Sequence, residues 1–161
     1  MAAMLRRIAA FVVAAAVMVV LGSAAHSYFV QQAWSLAAGH AGGTAPAAIP
    51  IVDRVAWAAH DLRGMIRSYG LVTSIALGLA LLSAGAVARF SGHRVIVFGA
   101  AGALAILVQF TALKMVLGTV GIFGARGTLG LAAQMAVGLV AGVLFAKLTP
   151  PSKSSPRAAP R

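Results

Sequence analysis

The sequence predicts an all-α fold, a polytopic membrane bundle of four transmembrane helices with an amphipathic external interfacial helix. Four long apolar stretches, at residues 8–30, 71–88, 95–117 and 129–148, are close to the roughly 20 residues that cross a hydrocarbon core about 30 Å thick. Of the 161 residues, 61% are hydrophobic and 9% are charged, whereas a soluble domain has about 25% charged residues. We therefore expect one membrane-embedded domain at 1–148 and a disordered basic cytoplasmic tail at 149–161.

The first stretch allows two interpretations. Arg6 and Arg7 precede an apolar run that reaches the small residues 21–25, which is typical of a signal peptide with its cleavage site. The apolar character continues through residues 28–30, however, so the segment is long enough to span a bilayer. The span is the favoured interpretation, and cleavage would reduce the four helices to three.

The external segment at 31–70 begins with a predicted loop and continues as a helix. Residues 39–50 contain Gly42, Gly43, Pro46 and Pro50, which break a helix, and His40 is expected to lie in water. After Pro50, apolar residues recur at helical spacing. We expect this amphipathic helix to lie in the outer interface before the chain turns into the second span, with a packed lid as the alternative. Its polar and aromatic residues are Asp53, Trp57, Asp61, Arg63 and Arg67.

Catalysis is not expected from this residue set. Asp53 and Asp61 are the only carboxylate side chains, and eight residues of helix separate them by roughly 12 Å. His60 points about 100° away from Asp61 on a helix, so the two side chains do not face a common atom. We expect Asp61 to pair with nearby arginines on an exposed helix face. The chain has no cysteine, which excludes thiol chemistry, and no metal-ligand spacing, so no cofactor is predicted.

Two short connections join the later spans. Residues 89–94 form a tight basic turn, which predicts antiparallel neighbours. Residues 118–128 contain Gly121, Gly124 and Gly127 and are interpreted as a flexible external turn, with a re-entrant or ligand-touching loop as the alternative.

Polar residues inside the spans define a candidate site. Gln109 and Gln134 lie at similar depth, roughly 12 Å and 9 Å from the outer ends of their helices, which makes a bond between their amides reasonable. Lys114 is expected to snorkel to the interface. Alternatively, Gln109, Lys114, Arg126 and Gln134 line an outward-facing polar pocket for an anionic or amphiphilic molecule. Gly138 and Gly142 form a GxxxG step that allows close helix packing.

The basic residues predict the orientation. Eight lie on the side of the termini and five on the other, so the positive-inside rule places both termini in the cytoplasm. The first group is Arg6, Arg7, Arg89, Arg94, Lys147, Lys153, Arg157 and Arg161, and the second is Arg54, Arg63, Arg67, Lys114 and Arg126. The net charge of +11 is dispersed without aromatic interleaving, which favours anionic lipids over nucleic acid.

The order of three short segments carries a resemblance. With 26–30 ending the first span, 60–65 outside and 124–127 before a glutamine-bearing last helix, the chain resembles uncharacterised four-helix bacterial inner-membrane proteins. That resemblance implies a multi-pass protein of the cell inner membrane and transfers no activity. We expect a structural, accessory or interaction role, through contact with lipid or a larger membrane protein. A small carrier that uses the outward-facing pocket is the alternative.

Overall fold

The computed structural model describes residues 1–40 and 49–149, and within them every regular element is helical. Five α-helices follow one another, with a π-helical turn at Ile66–Gly70 and a 3-10 turn at Phe123–Ala125. The α-helices are α1 (Ala2–His40), α2 (Ile51–Met65), α3 (Leu71–Ser91), α4 (Arg94–Leu117) and α5 (Thr128–Leu148). Part of the predicted external loop, with Gly42, Gly43 and Pro46, lies outside the described residues. So do the tail beyond residue 149 and the side chain of His40.

The first helix is longer than the sequence predicts. α1 continues for ten residues past the expected end at Val30, through part of the segment that was expected to be an external loop. Two polar side chains in this extension have partners, since the Ser35 hydroxyl donates to the Gln31 carbonyl oxygen and the Gln31 amide donates to that of Arg54. The Gln31 bond ties the extension to α2, and no proline interrupts the helix before Pro46.

The predicted turn between α2 and the second span is wrong. Residues 51–91 form one continuous helical segment, because the π-helical turn joins α2 to α3 without a break. Gly70 has ordinary right-handed helical torsion angles and packs beside Val19, so it does not act as a helix stop. Tyr69 is buried in the same turn. α2 therefore runs along α1 and has no buried residue of its own.

The long helices are antiparallel and pack in the order α1, α5, α4, α3. Their contacts place the start of α1, the end of α3, the start of α4 and the end of α5 together, and we call this the arginine end because Arg7, Arg89 and Arg94 lie there. The opposite end, where Gly124 bonds His26 and Ser27 bonds Asp61, is called the loop end. About 14 residues of α1 lie beyond His26, so α1 and α2 form a hairpin that continues roughly 20 Å past the level of His26.

Glycines set the closest helix contact, between α4 and α5. A Cβ atom on Gly102 would overlap the carbonyl oxygen of Gly138, and one on Gly142 would overlap that of Phe98. The predicted close packing of the helix that contains Gly138 and Gly142 is thus confirmed, within one chain. Met18, Leu77 and Ile106 fill the rest of the core.

Four helical segments are long and apolar enough to cross a membrane: Ala2–Ala37, Ile51–Ser91, Arg94–Leu117 and Thr128–Leu148. Large apolar side chains on their outer surfaces are exposed, among them Val12, Leu79, Leu82, Leu104 and Val108. An apolar exterior around a packed bundle is the arrangement expected of helices surrounded by lipid.

Candidate functional site

A chain of polar side chains crosses the interior of the bundle near the loop end. The Gln134 amide of α5 donates to the carbonyl oxygen of Gly22 in α1 at 2.9 Å, and its own oxygen accepts from the Tyr69 hydroxyl at 2.9 Å. Tyr69 also interacts with the Thr73 side chain of α3, and Thr73 accepts from the Gln109 amide of α4 at 2.9 Å. We call these five residues the buried polar chain. It links α1, α5, α3 and α4.

Gln109 and Gln134 are thus both interhelical contacts, but the predicted bond between their amides is wrong. Tyr69 and Thr73 stand between them, because the continuous helical segment at 51–91 brings both side chains into the interior of the bundle. Gln134 uses both ends of its amide, whereas the Oε1 atom of Gln109 is buried and has no hydrogen-bond partner among the described residues.

The four residues of the predicted outward-facing pocket differ in burial, since Gln109 and Gln134 are buried and Lys114 and Arg126 are exposed. Gln134 is 0% exposed, so a ligand arriving from the loop end does not reach its amide. Lys114 and Arg126 are both exposed, and the Arg126 guanidinium lies 5.3 Å from the ring centroid of Phe123. The two cavities that we describe are lined by none of these four residues.

A second polar cluster lies at the loop end. The Ser27 hydroxyl of α1 donates to Asp61 of α2, and the backbone N–H of Gly124 donates to Nδ1 of His26 at 3.1 Å. The predicted pairing of Asp61 with arginines is wrong, since Asp61 forms no ion pair among the described residues; the Ser27 hydroxyl of the facing helix donates to its Oδ2 atom instead. Gly124 is buried, and a Cβ atom there would crowd the His26 backbone, so this connection packs against α1.

The hydrogen bonds of this cluster join segments of the chain and do not form a nucleophilic relay. In a nucleophilic relay the serine donates to the imidazole and the imidazole donates to the carboxylate. Here Ser27 donates directly to Asp61, and Nδ1 of His26 accepts a backbone N–H, so the imidazole does not activate the hydroxyl. Within residues 1–40 and 49–149, no three histidine or aspartate side chains gather into a group that could hold a metal ion.

The remaining residues predicted for the amphipathic helix lie on the surface, three on α2 and Arg67 in the π-helical turn. Asp53, Trp57, Arg63 and Arg67 are exposed. Trp57 shares the hairpin with Trp34 of α1, which is also exposed, and these are the only two tryptophans of the chain. The hairpin therefore presents aromatic and basic groups on its surface.

The arginine end contains a feature that sequence reasoning missed. Nη2 of Arg94 donates to the Thr149 hydroxyl at 2.6 Å, and this hydroxyl donates to the Phe145 carbonyl oxygen at 2.6 Å. Thr149, the first residue of the tail predicted to be disordered, is 2% exposed and held by these bonds. Arg94 also lies over the Phe98 ring, 4.6 Å from its centroid.

Beside Arg94 and Thr149, a cavity of 1180 Å³ lies between the start of α1 and the end of α3. We call it the arginine-end groove. Its walls are mainly apolar, with Phe11 on α1, Leu81 on α3 and Phe98 on α4, and Arg7, Arg89 and Arg94 lie on its lining. Gly78 and Gly85 leave room along α3.

Comparisons with known proteins add no family: no protein-family model, no curated protein and no solved structure matches the chain. Any inference about the role of a residue is therefore drawn from the geometry of the chain itself.

Proposed function

We propose that this chain is a multi-pass protein of the cell inner membrane with both termini in the cytoplasm. Four helical segments of spanning length, an apolar exterior and a polar chain buried inside the bundle support this location. The arginine end then faces the cytoplasm, where Arg7, Arg89 and Arg94 satisfy the positive-inside rule. The α1–α2 hairpin lies on the outer side.

We infer an accessory or interaction role, and the observation that carries it is the hairpin. The two helices continue roughly 20 Å past the level of His26. The outward surface keeps large apolar side chains exposed, including Trp34, Ile51, Val52 and Val55. Such a surface costs free energy in water unless it is covered.

The chemistry of the surface indicates its partner. Arg63, near the end of α2, and Arg67, in the π-helical turn that follows, are exposed, and within the described residues neither forms an ion pair. A larger membrane protein that offers an apolar patch flanked by acidic side chains complements this arrangement in both packing and charge. The hairpin and the partner would then meet just outside the hydrocarbon core.

Site-specific photo-cross-linking in intact cells tests the role. A photoreactive phenylalanine analogue at Val52 probes the hairpin, and the same analogue at Val108 is the matched control, since both valines are exposed and only Val52 lies on the hairpin. We expect a single defined protein adduct from position 52 and lipid adducts from position 108. Lipid adducts alone from both positions would contradict an interaction role.

A further inference from the structure

We propose that the arginine-end groove binds one anionic glycerophospholipid, with its phosphate at Arg7, Arg89 and Arg94 and an acyl chain along α3 towards Gly78. The proposal rests on the membrane location proposed above and is independent of the partner at the hairpin. It assigns a ligand to a feature at the opposite end of the bundle from the residues predicted to bind one.

No carboxylate side chain of the chain is close enough to act as a counter-ion to the groove. The only carboxylate side chains are Asp53 and Asp61, both in α2. Asp61 and Arg89 are 28 residues apart along one helical segment, or roughly 40 Å at 1.5 Å per residue. Arg7 and Arg94 repel each other across the groove. An anion between them therefore replaces a repulsion with two attractions.

Arg94 is held in place for such a ligand. Its Nη2 atom is fixed by Thr149 and its guanidinium plane is supported by Phe98, while its buried Nε has no partner among the described residues. A guanidinium has five N–H donors in a rigid fork that matches phosphate oxygens. The α4 helix also begins at Arg94, so the partial positive charge of its N-terminus adds to the same field.

The apolar part of the groove distinguishes a lipid from a free anion. The groove continues from Arg89 to Gly78, eleven residues or roughly 16 Å along α3, and Phe11 of α1 faces Gly78 at its far end. A volume of 1180 Å³ lies above the usual pocket of a small ligand, roughly 300–1,000 Å³. Its mouth lies between α1 and α3, where Ile8 and Leu82 are exposed, so an acyl chain enters sideways from the bilayer.

Gly85 provides a direct way to fill the groove. A Cβ atom at this glycine meets nothing within 4 Å, and the residue lines the groove. Gly64 in α2 also meets nothing within 4 Å and lies outside the groove, which makes it the matched control. Leucine at position 85 occupies the acyl-chain path without disturbing the packed core.

The test uses the full-length protein in bilayers of equal amounts of phosphatidylglycerol and phosphatidylcholine with the same acyl chains. Lipid retained after mild detergent extraction is measured by native mass spectrometry. We expect one phosphatidylglycerol per chain, its loss in Gly85→Leu and its retention in Gly64→Leu. Neutralising Arg7 and Arg89 together with glutamine should lower retention about tenfold or more, and the same change at Arg63 and Arg67 should not.

Equal retention of both lipids, or unchanged retention in Gly85→Leu and in the Arg7/Arg89 variant, would overturn the proposal. So would a second copy of the chain in place of the lipid, or displacement by soluble glycerol 3-phosphate as effective as displacement by phosphatidylglycerol. Failure of the hairpin proposal is seen separately, because loss of the cross-link from position 52 leaves lipid retention unchanged.

Discussion

Gln134 of α5 donates its side-chain amide to the main-chain oxygen of Gly22 in α1, 2.9 Å away. This contact requires a glycine, because a Cβ atom on Gly22 would overlap the Tyr69 hydroxyl, which bonds the other end of the same amide. One glutamine therefore joins the first helix, the last helix and the π-helical turn. Helices surrounded by lipid have no hydrophobic driving force to associate. Such hydrogen bonds and close packing then determine which helix faces meet.

The two buried glutamines should differ in their contribution to stability. Gln134→Leu removes two hydrogen bonds and leaves the Tyr69 hydroxyl without its buried partner, so we expect a loss of about 1–3 kcal/mol in the free energy of unfolding. Gln109→Leu removes one bond and also an unpaired buried oxygen, so its cost should be about 1 kcal/mol or less. Unfolding by denaturing detergent in mixed micelles measures both, with exposed Gln32→Leu as the control. Equal costs at Gln109 and Gln134 would contradict the buried polar chain.

Close packing of α4 against α5 makes Gly138 intolerant of a side chain. The Gly138→Ala change places a methyl group against the Gly102 carbonyl oxygen and should destabilise the bundle by about 1–3 kcal/mol. Gly85→Ala is the matched control, because its methyl group meets nothing within 4 Å and alanine favours helix by up to about 1 kcal/mol. The same unfolding assay compares them. If Gly138→Ala is as stable as Gly85→Ala, the helices are further apart than described.

The hairpin predicts a specific disulfide between α1 and α2. Ser27 and Asp61 are in hydrogen-bond contact, so Ser27→Cys with Asp61→Cys should oxidise readily within one chain and lose reactivity towards maleimide. The chain has no native cysteine, which keeps the readout clean. Ser27→Cys with His60→Cys is the control, because position 60 is exposed and points about 100° away from position 61. Free thiols in both pairs would favour an α2 that lies flat in the interface.

Hydrophobic patterning predicted α3, α4 and α5 to within a few residues, because long apolar runs with glycine or basic residues at their ends have little alternative to a helix. It also predicted the starting position of α2 after Pro50. The GxxxG step at Gly138 and Gly142 was interpreted correctly as a packing surface.

The errors arose where long-range contacts decide the structure. Nothing local to Tyr69 and Gly70 shows that the chain continues as a π-helical turn, since this depends on Gln134 and Val19 from other helices. The partners of Gln109, Gln134 and Asp61 were assigned wrongly for the same reason. The arginine-end groove was missed because Arg7, Arg89 and Arg94 are far apart in the sequence and were counted only as topology signals.

The most direct test of the proposed membrane arrangement is the accessibility of single cysteines in intact cells, with an outer membrane permeabilised where present. We expect a membrane-impermeant maleimide to label exposed His60→Cys on α2 from outside. Exposed Ser91→Cys, at the arginine end of α3, should react only after the inner membrane is opened. Labelling of Ser91→Cys in intact cells, or protection of His60→Cys, would contradict a bundle that spans the membrane with its arginine end inside.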